Sequence, residues 1–271
     1  MTKFPEKKVL IIGLDGARPD AMLAGKTPNL MKLAQNGCYS WKAQTENHTT
    51  SGPAWTSLLT GVHENKHGVD GNDDMATKRR VPTIFKLVKD WNPDMKTIAY
   101  SHWEPIITDI IEDDTIDVKA TGHDLEMAKL MAADIRKGRG DFHFIQFDDI
   151  DAAGHHHGFS PASPGYVKKI EETDAMIGTI LKEIDKRDIN EHWLVIVISD
   201  HGGESMSHGL PNLGSLTIIF IIAGDAITSQ GEITCDDEEN APQIVDVVPT
   251  IAKFLDMPMR DEWDGVVRGI P

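Results

Sequence analysis

Cysteine is scarce in this chain: Cys38 and Cys235 are the two, and they stand far apart. Such a pair makes neither a disulfide framework nor a thiolate metal motif, and a reduced compartment is the simplest reading. Basic residues are outnumbered, 27 lysines and arginines against 43 aspartates and glutamates, for a formal net charge of −16 with histidine neutral. A duplex-binding surface needs clustered cations. The one dense basic cluster, Lys78-Arg79-Arg80, reads as a solvated loop, so duplex nucleic acid is not expected as a partner. An acidic chain can still hold phosphate if metal ions supply positive charge locally. No apolar run reaches membrane-spanning length. Residues 1–8 are too short and polar for a signal peptide and run straight into Val9-Leu10-Ile11-Ile12. The expectation is therefore a cytoplasmic protein, or one whose leader has been removed. Internal repeats, low-complexity tracts and a clear linker are missing too. What is present is 271 residues, 40% of them hydrophobic, enough to bury a sizeable core, and residues 1–271 are expected to form one domain.

Short apolar runs at 9–14, 97–101, 142–147, 194–199 and 216–222 lack the alternation of a half-exposed sheet and read as buried parallel strands. Helical patterns lie between most of them. Thr27-Pro28 opens one, with a capping hydroxyl and proline at the first helical position, and Gly37 stops it. Others are predicted at 82–91, 124–137, 164–187 and 242–255. Alternating strands and helices predict an α/β fold whose mainly parallel central sheet is flanked by helices on both faces.

Polar residues suited to chemistry follow three of these runs. Asp15 follows the first, residues 148–155 follow 142–147, and Asp200-His201 follows 194–199. Ligands of open α/β sheets bind at the carboxyl ends of the strands, so these three places converge on one edge. Imidazole nitrogen and carboxylate oxygen suit zinc and similar ions. The candidates are Asp15, Asp151, His155, Asp200, His201 and His208. In Asp151-Ala-Ala-Gly-His155 the small residues would allow a tight turn onto one ion, and in Asp200-His201-Gly-Gly the glycines would free the backbone after two adjacent ligands. Each has a plainer reading alone: Asp15 as a cap or turn former, His155-His156-His157 as a loop run, His208 as an isolated histidine. Together they are costly to bury unless cations neutralise them. Ser51 lies between the first strand and its partners, in His48-Thr-Thr-Ser-Gly-Pro-Ala-Trp-Thr. Pro53 suits a first helical turn, so Ser51 is expected just ahead of a helix N-terminus, either as its cap or as a nucleophile beside a phosphoryl group.

These pieces together resemble the alkaline phosphatase superfamily, above all its type I phosphodiesterase/nucleotide pyrophosphatase branch, with sulfatases as relatives. Gly13-Leu-Asp15-Gly, Thr27-Pro28-Asn29-Leu30, His67-Gly68, Asp151-Ala-Ala-Gly-His155, Ser199-Asp200-His201-Gly202 and Val248-Pro249-Thr250-Ile251 all fit, over nearly the whole chain. The family's nucleophile stands two residues before a proline and nine before the Thr of a Leu-Thr-Gly turn, which here is Thr60 and selects Ser51. The resemblance implies a two-metal hydrolase of phosphate esters that works through a phosphoserine intermediate. One ion would be held by Asp15, Ser51, Asp200 and His201, the other by Asp151, His155 and His208. Histidine-rich coordination favours zinc, with manganese as an alternative. Asn72, 21 residues after Ser51, stands where the phosphodiesterase branch places an asparagine that helps hold a phosphoryl oxygen. His102 and Trp103, after the 97–101 strand, are candidates to touch the leaving group, and the expected partner is a small phosphate ester.

The chain departs from the family in places. Serine replaces the threonine usual in the phosphodiesterase branch, which keeps a phosphomonoesterase or phosphotransferase as the alternative. Formylglycine sulfatases need an arginine where Trp55 stands, and commonly have asparagine where His201 stands. A sulfatase, or a metal-binding protein without turnover, fits less well. The chain is also short for the family, so a substrate-selecting insertion is expected to be reduced.

Overall fold

The computed structural model describes residues 6–187, 190–228, 231–233 and 241–271, so Cys235 lies outside the described residues. The described residues form an eight-stranded sheet. Its strands are β1 (Glu6–Leu14), β2 (Gly37–Gln44), β3 (Thr97–Ser101), β4 (Val118–Thr121), β5 (Phe142–Phe147), β6 (Glu191–Ser199), β7 (Thr217–Gly224) and β8 (Gly231–Glu232), in the order β4-β3-β5-β1-β6-β7-β2-β8. β1 is central and pairs in parallel with β5 on one side and β6 on the other. Its side chains alternate between two cores: Val9 and Ile11 enter one, Leu10, Ile12 and Leu14 the other. That double burial explains the unbroken apolar run in the sequence.

Helices cover both faces. In chain order they are α1 (Pro19–Ala24), α2 (Pro28–Gln35), α3 (Ser51–Thr60), α4 (Glu64–His67), α5 (Met75–Lys78), α6 (Ile84–Trp91), α7 (Asp124–Arg136), α8 (Asp149–His157), α9 (Pro164–Ile184), α10 (Leu213–Leu216) and α11 (Val247–Leu255). No helix among the described residues is long and apolar enough to cross a membrane.

The α/β expectation holds, with corrections. β7 is antiparallel to β6 and to β2, whereas its apolar run read as parallel; a strand buried on both faces carries no pattern that reveals its direction. β2, β4 and β8 fall outside the apolar runs that read as strands. Gly37 begins β2 rather than ending α2, because a Cβ there would lie 2.1 Å from the Ile222 carbonyl oxygen on β7. The Thr27 hydroxyl makes no cap bond; it donates to Met22 O at 3.2 Å. The 242–255 pattern splits into a 3₁₀ turn, Ile244–Asp246, and α11. The Lys78-Arg79-Arg80 run is solvated only in part, with Arg80 exposed and Lys78 in an exposed pair. Lys78 ends α5 and pairs with Asp70, while Arg79 is largely covered and donates to Glu112 at 2.6 Å and to Val81 O.

Candidate active site

The carboxyl ends of β1, β5 and β6 deliver the acidic and histidine candidates to one edge of the sheet. Asp15 leaves β1 and is followed by Gly16 at φ +65°, where a Cβ would lie 2.5 Å from Asp151 Oδ1. Glycine is therefore required for the Asp15 turn to meet α8. The Gly16 N–H donates to Asp200 Oδ1 at 3.1 Å, which links the ends of β1 and β6. Asp151 and His155 sit on α8, not on a tight turn: the small residues between them belong to a helix, which places the pair one turn apart with Asp151 Oδ2 3.2 Å from His155 Nε2. Gly154 is there for packing, since a Cβ would lie 2.2 Å from the Phe159 ring. Gly202 and Gly203 also serve close approach, to Gly214 O and to the Phe159 ring, rather than backbone freedom.

Ser51 is the first residue of α3, with Thr50 as N-cap, so it lies one step inside the helix rather than ahead of it, and the Thr50 side chain makes no cap bond. Its Oγ is 3.3 Å from His201 Nε2. The neighbouring threonine at 49 is fully buried and occupied elsewhere: its hydroxyl donates to Leu210 O and accepts from Gly209 N. The Gly52 N–H donates to Asn72 Oδ1 at 2.8 Å. Because an N–H needs an acceptor, this bond fixes which end of the Asn72 amide is oxygen and leaves its NH₂ as the remaining donor. Gly52 has to be glycine for that approach, as a Cβ would lie 2.3 Å from Gly71 O.

Ligand atoms gather in two overlapping groups. Asp15, Asp200 and His201 offer atoms all within 4.8 Å of one another, and so do Asp151, His201 and His208. His155 Nε2 joins the second group, 3.1 Å from His208 Nε2. His201 thus stands between the groups, its ring stacked on that of His208 at 3.9 Å. The histidines share one arrangement. The Nδ1–H of His155 donates to Met206 O at 2.9 Å, that of His201 to Gly202 O at 2.8 Å and that of His208 to Thr49 O at 2.8 Å. A carbonyl can only accept, so Nδ1 carries the proton and Nε2 is the free ligand nitrogen in all three. Among the described residues, Asp15 Oδ1, Asp151 Oδ1 and Asp200 Oδ2 are buried with no hydrogen-bond partner. Buried carboxylate oxygens without donors are costly unless cations meet them, so the residues fit divalent ions.

The electrostatics agree. Burial first, and Asp200 next, hold the Asp15 carboxyl well above the usual carboxylate range; burial does the same to Asp200, with Asp151 adding to it. Burial pushes His201 down, and takes His208 down to about 4, leaving both neutral and able to ligate near neutrality.

A third cluster, His102, Asp124 and Asp149, reads as structural instead. Asp124 already accepts from His102 Nδ1 at 2.8 Å and from the N–H groups of Asp148 and Asp149, while Lys169 lies 3.4 Å from Asp149. The His102 ring is held by Asp124 and packs edge-on to His123 at 5.1 Å, and Trp103 packs against the hydrophobic core. Neither belongs to the two groups around Asp15 and Asp151. The His67-Gly68 motif is also supportive rather than reactive. Val69 N–H donates to His67 Nδ1, His67 Nε2 meets Ser57 Oγ on α3, and Ser57 donates to Glu46, which also takes His63. Burial takes His67 down to about 4, so this bonded chain under α3 keeps a neutral ring.

Compared with known proteins, residues 9–123 and 87–216 match the family described as type I phosphodiesterase / nucleotide pyrophosphatase. An uncharacterised pyrophosphatase/phosphodiesterase of Schizosaccharomyces pombe is 26% identical over 227 residues, covering 74% of this chain and 46% of that protein. The chain spans less than half the length of the curated relatives it matches. Murine ectonucleotide pyrophosphatase/phosphodiesterase 5, solved in an inactive form in complex with AMP, superposes with a TM-score of 0.76 at 15% identity, covering 93% of this chain and 96% of that one. A 2-O glycosaminoglycan sulfatase reaches the same TM-score of 0.76 at 14% identity, covering 98% and 73%. At such identities the two structures share the fold.

Proposed function

The chain belongs to the type I phosphodiesterase/nucleotide pyrophosphatase family, and from that premise we propose that it hydrolyses phosphodiesters or nucleotide pyrophosphates with Ser51 as nucleophile. One divalent ion would be held by Asp15, Ser51, Asp200 and His201, the other by Asp151, His155 and His208, with zinc favoured by the imidazoles. The observation that carries this reading is the set of three unpartnered, buried carboxylate oxygens gathered with three Nε2 atoms beside the Ser51 hydroxyl.

When bound, such ions lower the pKa of a coordinated hydroxyl and neutralise phosphoryl charge. Ser51 Oγ, relieved of its proton, attacks phosphorus; the Oγ–P bond forms as the bond to the leaving oxygen breaks, and the leaving group departs. With a diester, the phosphoserine retains the second substituent, and water then cleaves Oγ–P and restores the hydroxyl. The Asn72 NH₂, aimed by the Gly52 bond, donates to a non-bridging oxygen as charge develops. Asn72→Ala should lower kcat by about 10²–10³, the usual scale for one such donor, and a loss below about threefold in steady-state assays would remove Asn72 from the site.

A diester is favoured over a monoester because the arginine closest in sequence to the candidate ligands is already engaged and so does not offer its charge to a monoester's second negative charge. Arg18, the nearest arginine in sequence to a candidate ligand, is engaged: it donates to Phe159 O at 3.1 Å, to Gly203 O at 2.8 Å and to Asp20. Sulfate esters should rank last, since the sulfatase arginine position is Trp55, whose indole donates to Asp15. With p-nitrophenol as the common leaving group, kcat/KM should be highest for the diester. A monoester preferred by about tenfold or more would overturn the diesterase reading and leave the serine mechanism standing.

A further inference from the structure

The Asp15 carboxylate is gripped by one oxygen and left bare at the other. Oδ2 accepts from the Trp55 indole Nε1–H at 3.0 Å and from the Gln146 amide at 3.1 Å. Oδ1 is the buried oxygen with no partner. Trp55 reaches Asp15 because Gly13 leaves room: a Cβ there would lie 2.4 Å from the indole, which also packs edge-on to Phe144 at 6.0 Å. Gln146 lies on β5 and is fully buried. The second acceptor of its NH₂ is Asp148 Oδ1 at 3.0 Å. Its carbonyl oxygen collects three donors, Ser101 Oγ at 3.0 Å, His102 N at 3.0 Å and Trp103 N at 2.9 Å. Two carboxylates at one end and three donors at the other allow only one orientation of this amide.

We propose that Trp55 and Gln146 are positioning residues that fix the Asp15 carboxylate for a divalent ion. Both donors are neutral, so they set the plane of the carboxylate without supplying the charge that a cation supplies. Neither residue is a ligand type, so nothing in the sequence ties them to the ion; their effect runs through Asp15. The inference rests on the metal-dependent reading of the site.

Two substitutions separate the parts. Trp55→Phe removes one donor and keeps an aromatic ring. Gln146→Glu keeps an oxygen for Ser101, His102 and Trp103 but loses the NH₂ that holds Asp15. Ser101→Ala removes one donor to Gln146 without touching Asp15 and serves as the control. Titration of zinc into each metal-free full-length protein by calorimetry, with the visible absorption of the cobalt-substituted forms, reads the effect directly. Trp55→Phe and Gln146→Glu should each weaken zinc binding by about 10- to 100-fold and shift the cobalt bands, while Ser101→Ala leaves both unchanged. A merely structural role would lower the melting temperature without moving the cobalt bands. Zinc affinities within about twofold of the parent in folded variants would overturn the inference alone; if Gln146→Glu does not fold, Trp55→Phe decides. A parent that binds no zinc or manganese would sink the metal-dependent reading and this inference with it.

Discussion

Ser51→Ala should lose turnover of a phosphodiester by several orders of magnitude while keeping its fold and much of its metal. The hydroxyl is the group expected to form the bond to phosphorus, and no neighbour can replace it. Thr49 is buried and bonded to the loop at Gly209 and Leu210. Thr50 is the N-cap residue of α3, outside the helix that Ser51 opens. Retention is expected because the carboxylates and imidazoles of both ligand groups remain. Calorimetry and melting curves report on fold and metal, and steady-state kinetics on turnover. If Thr50→Ala abolishes activity and Ser51→Ala does not, the register of the nucleophile is wrong.

Removal of divalent ions should abolish activity, with zinc or manganese restoring it, and should destabilise the protein in a pH-dependent way. Asp15 and Asp200 have folded pKa values above their unfolded ones. A carboxyl of this kind contributes stability below the ordinary carboxylate range and loses it as pH rises through its folded value. His208 runs the other way: burial takes its folded pKa down to about 4, under the ordinary histidine value of about 6.5, so its contribution is present above about 6.5 and lost as pH falls towards 4. Ions bind the ionised carboxylates and neutral imidazoles, so binding releases protons and strengthens with pH. The rise in melting temperature on adding zinc should therefore be larger at about pH 8 than at about pH 5. Equal rises at both pH values, or activity unchanged in chelator, would place the ions elsewhere or nowhere.

Much of the fold was legible because the strands of the parallel core are buried on both faces and punctuated by helices. Strand direction was not: the β7 run looks like the others, yet it is antiparallel. β2 carries no such signal, because Cys38-Tyr39-Ser40-Trp41 alternates in burial and lacks an apolar run. The six acidic and histidine candidates were legible as residue types after strands, with His208 one short loop beyond, and the structure gathers them. Their local geometry was less so, since Asp151-Ala-Ala-Gly-His155 forms a helical turn whose small residues accommodate Phe159. Least legible were residues that act through others. Gln146 sits inside an apolar strand pattern, Trp55 looks like core, and His67 matches a motif although its ring supports α3 through Ser57. Contacts across long stretches of sequence define these roles, and no local spacing encodes them.

The most direct test of metal-dependent covalent catalysis is an acid quench of zinc-loaded protein during turnover of a slow phosphodiester, followed by peptide mass spectrometry. The expected result is a phosphoryl adduct, with the retained substituent, on the peptide that contains Ser51, and no adduct in chelator-treated protein. Turnover that continues in chelator with Ser51 unmodified, or an adduct on a different residue, would contradict the mechanism.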